Sequence, residues 1–176
     1  NHGGIFPVTC GVAVRNLGTN RLLDAIEEDL PSPVKHGALE LPEITLEPDA
    51  SAPLYAYVFK TKADPFAGRI NFFRVYQGTV TKDSQLYIGD GRKPFKVGHL
   101  FMLQGKDHVE VARALPGDIV AVAKVDEIHY DAVLHDAAED DHIHLKPLNL
   151  PHPVHGLAIE PKRHGDEQRM WEILGK

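Results

Sequence analysis

The sequence predicts a mainly β protein: an antiparallel β-barrel, closed or nearly closed, flanked by partial α/β and α+β segments. Three observations carry that expectation. Seven short β-rich runs, separated by Asp, Gly, Pro and Lys, follow one another from residue 54 to about residue 148. A strand-like run followed by a helical one stands before them, and the same pairing returns after them. The 176 residues are 43% apolar, enough for one ordinary core and too much for wholesale disorder.

The run IFPVTCGVAV is β-rich and apolar and reads as a buried strand, with Pro7 keeping it near a strand start or edge. Gly18-Thr19-Asn20 punctuates the chain. Leu22, Leu23, Ala25, Ile26 and Leu30 then recur at the spacing of one helix face, Thr19 or Asn20 can cap that helix, and Pro31-Ser32-Pro33 stops it. Residues 1–33 therefore form a strand–turn–helix unit. Residues 34–52 carry Pro42, Pro48 and several acids without periodicity, and read as a linker extended across a surface. Residues 53–147 hold the barrel. Within RINFFRVYQGTV, the pattern sends Ile70, Phe72 and the neighbourhood of Val75 to the core, and Phe73 with Arg74 outward. Residues 148–176 begin a further α+β domain: VHGLAIEP reads as a strand, and Gly165-Asp166-Glu167 opens a helix whose first-turn acids suit its dipole.

Charge separates the barrel from the rest. The chain carries a formal −6, which argues against a general nucleic-acid binder. Residues 54–106 nevertheless hold nine Lys/Arg against three Asp, a local +6 that leaves −12 elsewhere. A basic segment in an acidic chain points to a face built for an anion such as phosphate. The plainer explanation is a sheet face solvated by cations, and charge alone fits either. Lys60, Lys62, Arg69, Arg74, Lys82, Arg92, Lys93 and Lys96 also interleave with aromatics, a mixture that can pair phosphates and stack bases. Most of those aromatics are expected in the core.

Catalytic signatures are missing. The sequence has no GxxxxGK[ST] loop, no GxGxxG after a strand, no HExxH and no GxSxG, so nothing here orients a nucleotide's leaving phosphate. No catalytic residue is assigned. Cys10 has no histidine near it in the sequence to activate it, and reads as an inert small side chain. His142 and His144 in DDHIH could chelate a metal from one face of a strand, yet a polar linker explains them better, and no metal site is assigned. No run approaches the ~20 apolar residues of a membrane helix.

One stretch is specific. AYVFKTKADPFAGRINFFRVYQGTVTKDSQLY resembles the second domain of bacterial elongation factor G, the translocation GTPase, through Phe59-Lys60, Asp64-Pro65-Phe66, Gly68-Arg69, Phe72-Phe73-Arg74-Val75-Tyr76 and Gly78. KVGHLFMLQGKDHVEVARALPGDIVAVAKV continues the likeness. Residues 1–33 are similar to the last strand and helix of that family's GTP-binding domain, and VHGLAIEPKRHGDEQRMWEILGK to the start of its third domain. The wording is closer to elongation factor G-like paralogues than to the main translocase. With no initiator Met and with partial units at both ends, the chain is expected to be part of a longer protein.

The resemblance implies a translation-factor-type barrel that contacts small-subunit ribosomal RNA and packs on a GTP-binding domain in cis. It implies GTP and Mg2+ for the parent and neither for this stretch, whose residues should have no activity alone. Gly11-Val12-Ala13 stands where the family has Gly-Ser-Ala contacting guanine, so backbone contacts could survive and a serine contact could not. The RNA-facing candidates are Lys60, Lys62, Arg69, Phe73, Arg74, Arg92 and Lys93. A cytoplasmic, monomeric chain away from membranes is the accompanying expectation. The alternative is a module that relays nucleotide state between domains without touching RNA.

Overall fold

Apolar runs of two to ten residues, broken by glycine and small polar residues, can bury their side chains only by pairing edge to edge. The computed structural model describes residues 4, 6–64, 68–89, 91, 93–105, 107–137, 145 and 151–174. A single turn of 3-10 helix at Ala13–Arg15 leads to α1 (Thr19–Asp29) and the short α2 (Pro33–His36). The strands follow in order: β1 (Leu39–Glu40), β2 (Thr45–Leu46), β3 (Tyr55–Asp64), β4 (Gly68–Gln77), β5 (Val80–Thr81), β6 (Gln85–Ile88), β7 (Phe95–Lys96), β8 (Leu100–Gln104), β9 (Asp107–Glu110), β10 (Arg113–Ala114), β11 (Ile119–Ala123) and β12 (Val133–His135). α3 (Glu167–Leu174) comes last.

Eight strands form one antiparallel sheet in the order β7-β6-β12-β3-β4-β11-β8-β9. The sheet curls, so that Leu86 of β6, Val58 of β3, Phe73 of β4, Val120 of β11 and Leu100 of β8 meet in one core. β5 pairs with β10, and Val80 and Ala114 from that pair join the same cluster. Each such large side chain removed from water contributes roughly 1.5–3 kcal/mol before entropy is set against it. The expected mainly β fold is what forms.

The linker is more than a spacer. β1 and β2 make a small hairpin, and Leu46 packs with Tyr55 and Val133, backed by Leu39, Leu41, Ile44 and Tyr76, in a second cluster on the outside of the sheet. α2 seats against the barrel at Gly117. There φ is +98°, and an added Cβ would stand 2.3 Å from Pro33 Cγ, so the contact requires glycine.

Three local expectations change. Residues 6–11 are extended and exposed rather than a buried strand, with Phe6 79% and Val8 84% accessible. Residues 154–160 are likewise not a strand, and Val154 is fully accessible. A strand's backbone groups need a neighbouring strand, and neither segment has one among the described residues. α1 forms where the periodicity put it, but its N-cap is Gly18, with no side-chain cap. The Thr19 hydroxyl instead donates to Asn16 Oδ1 at 2.6 Å. Its Leu22, Leu23, Ile26 and Leu30 are all largely exposed. The C-terminal helix forms at α3 as expected.

Candidate nucleic-acid interface

The register of β3 on β4 decides which cations share a face. Tyr57 lies opposite Arg74 and Val58 opposite Phe73; a bulge then lets Lys60 lie opposite Phe72, and Lys62 opposite Ile70. Directly paired residues on antiparallel strands point to the same side. Lys60, Lys62 and Arg74 therefore stand together on the outer face, all exposed. The Lys60 ammonium sits 5.4 Å from the centre of the Phe72 ring, and the Arg74 guanidinium 5.5 Å from that of Tyr76. Such contacts hold long side chains over a surface while leaving hydrogen-bond donors open to solvent. Among the described residues no carboxylate pairs with these three cations.

Phe73 is the clear correction. It is fully buried, at 0% exposure, and lies in the centre of the core, so it cannot meet RNA; the half-buried Phe72 takes the outer position. The reason lies in the polar residues around it. Asn71 is fully buried, accepting from the Thr61 hydroxyl at 2.8 Å and donating to the Val125 carbonyl at 3.3 Å. Gln77 is buried too, accepting from the Glu47 amide at 2.8 Å and donating to the Pro53 carbonyl at 3.0 Å. Two polar amides are satisfied inside, so the inner row is Asn71, Phe73, Val75 and Gln77. Strict alternation counted from Val75 would have found it.

The other candidates lie apart. Arg69 alternates to the opposite side from Ile70 and donates to the Asp126 carbonyl at 3.2 Å, a contact that braces the turn after β11. Lys93 is exposed on the β6–β7 connection, at the far end of the sheet order from β4. Arg92 lies outside the described residues, as do His142 and His144. Lys82 and Lys96, also counted in the basic segment, are drawn to Glu110 at 3.8 Å and Asp83 at 3.0 Å. The Lys96 hydrogen bond holds the Asp83 carboxyl below its ordinary range. Reasoning from the sequence missed Phe72 and Tyr76 as the aromatic partners of this face.

Gly11, Val12 and Ala13 line or adjoin a small cavity of about 230 Å3 with Thr9, Cys10, Leu17 and Thr19. The Val12 amide donates to the Leu17 carbonyl at 2.9 Å and is thereby spent. Among the described residues no carboxylate lines the cavity to take a guanine edge, and no lysine to take a phosphate. These residues by themselves do not fit a guanine nucleotide, and no chemistry is routed through one.

On the same outer face the Tyr57 hydroxyl donates to the Asp131 carboxylate. Burial first, and that hydrogen bond second, push the phenol well above its ordinary value near 10. A raised folded pKa means a contribution that is complete below about pH 10 and is lost as the pH rises beyond it. Tyr57→Phe should therefore lower the melting temperature by a constant amount up to about pH 10, and by less above it. A gap between wild type and variant that widens at alkaline pH would contradict the assignment.

Comparison with known proteins agrees with the architecture. The family model for elongation factor G domain 2 matches residues 53–134. A crystal structure of a protein from Thermus thermophilus superposes with a TM-score of 0.69 at 31% identity, over 92% of this chain and 22% of that one. The chain thus spans about a fifth of the length of that protein. Among the described residues no helix is long and apolar enough to cross a membrane.

Proposed function

Residues 53–134 belong to the elongation factor G domain 2 family, and on that premise we propose that the barrel docks a translational GTPase onto ribosomal RNA through Lys60, Lys62 and Arg74. The observation that carries this reading is the register: three cations spread over two strands converge on one outer face, with Phe72 and Tyr76 between them. The small ribosomal subunit is the partner the family suggests. In the parent protein a GTP-binding domain, preceding or including residues 1–33, supplies GTP and Mg2+ chemistry. Residues 148–176 open the next domain. The cytoplasm is the compartment such a role requires.

Phosphate contacts release counterions, so binding to ribosomal subunits should weaken steeply with salt. Lys60→Glu combined with Lys62→Glu should abolish measurable binding at moderate salt. At low salt it should flatten the salt dependence by about 1–2 in slope, since each phosphate contact contributes ~0.7–0.9. Filter binding to isolated small subunits over a salt series checks it. Unchanged affinity and slope in the double variant would remove this face from the reading.

A second reading has its own support. α2 is seated on the barrel at Gly117, and Arg74, Tyr76 and Pro33 line a cavity of about 220 Å3 between linker and sheet. That contact could pass a shift of the preceding domain into the barrel. In the full-length parent, charge reversal at Arg74 that spares ribosome binding while lowering ribosome-stimulated GTP hydrolysis would favour this relay over RNA docking.

A further inference from the structure

A second feature of the outer face is not explained by phosphate pairing. β11 presents Ala121 and Ala123 to this side, opposite Phe72 and Ile70 of β4. Of the two, the small Ala123 side chain borders a hollow of about 450 Å3 between β4 and the β8–β9 hairpin. Ile70 and Ala123 lie at its apolar base, with Phe101 and Leu103 half-buried beside them. The His99 ring stacks near-parallel to Phe101, with centres 5.9 Å apart and planes 18° apart, and the His108 ring tilts against Phe101 from the next strand at 6.2 Å. Three flat rings thus border one apolar hollow.

The rim is polar in a particular way. Glu110 lies across from Phe101 in the β8–β9 register. One of its carboxylate oxygens, Oε1, holds His99 Nδ1 at 2.9 Å and faces Lys82 at 3.8 Å. Among the described residues no hydrogen bond or ion pair takes its other carboxylate oxygen, and Glu110 lines the hollow. The His99 hydrogen bond, first among the causes, keeps the Glu110 carboxyl below its ordinary range and so ionised at neutral pH. Lys124 stands exposed on the opposite lip. The cross-strand row Lys62–Ile70–Ala123 leads from the base of the hollow to the cation face.

We propose that this hollow receives one unpaired purine base of RNA, stacked against His99 and Phe101, with its N–H edge donating to Glu110. The proposal rests on the RNA reading given above and supplies what that reading lacks, a way to distinguish one stretch of RNA from another. A purine is a flat, mostly apolar bicycle that brings N–H donors on one edge, matching rings, apolar base and carboxylate together. An apolar peptide side chain would match the base and rings but leave the carboxylate desolvated without a partner. Its neighbouring phosphates would fall toward Lys124 and Lys62.

The test uses the whole chain and three probes: an oligoadenosine ribonucleotide, an abasic oligomer of the same length, and adenosine monophosphate. Anisotropy reads affinity, and the ring-proton NMR signals of His99 and His108 read occupancy. The base-bearing oligomer should bind about tenfold more tightly than the abasic one, the usual worth of one stacked base. Phe101→Ala should erase the difference. So should Ala123→Leu, which fills the hollow without removing a ring. Lys60→Glu with Lys62→Glu should weaken both oligomers alike. Equal affinity for the two oligomers, with unmoved His99 and His108 signals, overturns the base site while the RNA reading stands. If neither oligomer binds but the monophosphate moves both histidine signals, the base site stands and the phosphate face falls. Silence from all three probes overturns both.

Discussion

Phe73→Ala is expected to destabilise the protein by about 3–5 kcal/mol, the cost of emptying a fully packed aromatic site. Phe73 has no exposed surface and sits in the cluster shared by β3, β4, β6, β8 and β11. Its strand neighbours in register are Val58 and Val120, both essentially inaccessible, so no water enters to relieve the cavity. A typical domain has only about 5–15 kcal/mol to lose. Phe72→Ala, one residue earlier on the other face, should cost about 1 kcal/mol or less, as surface changes do. The two variants should trade places in binding: Phe72→Ala stays folded but holds RNA less well, because Lys60 loses the ring beneath it. Chemical denaturation of both variants, followed by RNA binding of the folded one, tests the pair. A Phe73→Ala variant as stable as Phe72→Ala would mean that the facing of β4 is wrong, and with it the cation face.

The second large effect is expected at Gly78, where Gly78→Val should cost well over 3 kcal/mol, or prevent folding. Two terms add. The residue has φ +77°, where a β-branched side chain is a steric outlier costing roughly 1–2 kcal/mol on the backbone alone. An added Cβ would also stand 2.6 Å from Leu54 Cα and 2.9 Å from the Ala52 carbonyl oxygen, and these are backbone atoms that cannot rotate away. Leu54 is itself a buried core residue, so moving it disturbs the packing it anchors. Gly68→Ala supplies the control. Gly68 has a similar φ of +72°, but an added methyl there would meet nothing within 4 Å among the described residues, so only the backbone term should appear. Thermal melts of the two variants separate the terms. Equal losses would show that the approach of Leu54 contributes nothing.

Much of this was legible in the residues. Short β-rich runs split by turn residues announced an antiparallel barrel, because side-chain period and turn chemistry are properties of the chain itself. α1 and α3 were legible for the same reason: a face repeating every three to four residues is local information. The basic character of residues 54–106 was legible as a count. The interleaving of cations with aromatics was legible too, but not which aromatic belonged to which side. Strands in residues 6–11 and 154–160 were misread because local β preference cannot supply a neighbouring strand.

By itself the sequence determined the barrel, the two helices with apolar stripes, and the presence of a basic segment, since each depends on residues close together along the chain. Only the tertiary structure decided that Asn71 and Gln77 turn inward, that Phe73 is core and Phe72 is surface, and that a bulge in β3 brings Lys60 and Lys62 beside Arg74. It also decided that Ala123 borders a hollow beside the rings of His99, Phe101 and His108. The physical reason is the same in each case. Which way a side chain points on a strand of mixed polarity depends on the partners that satisfy or exclude it, and those partners are brought from distant parts of the chain.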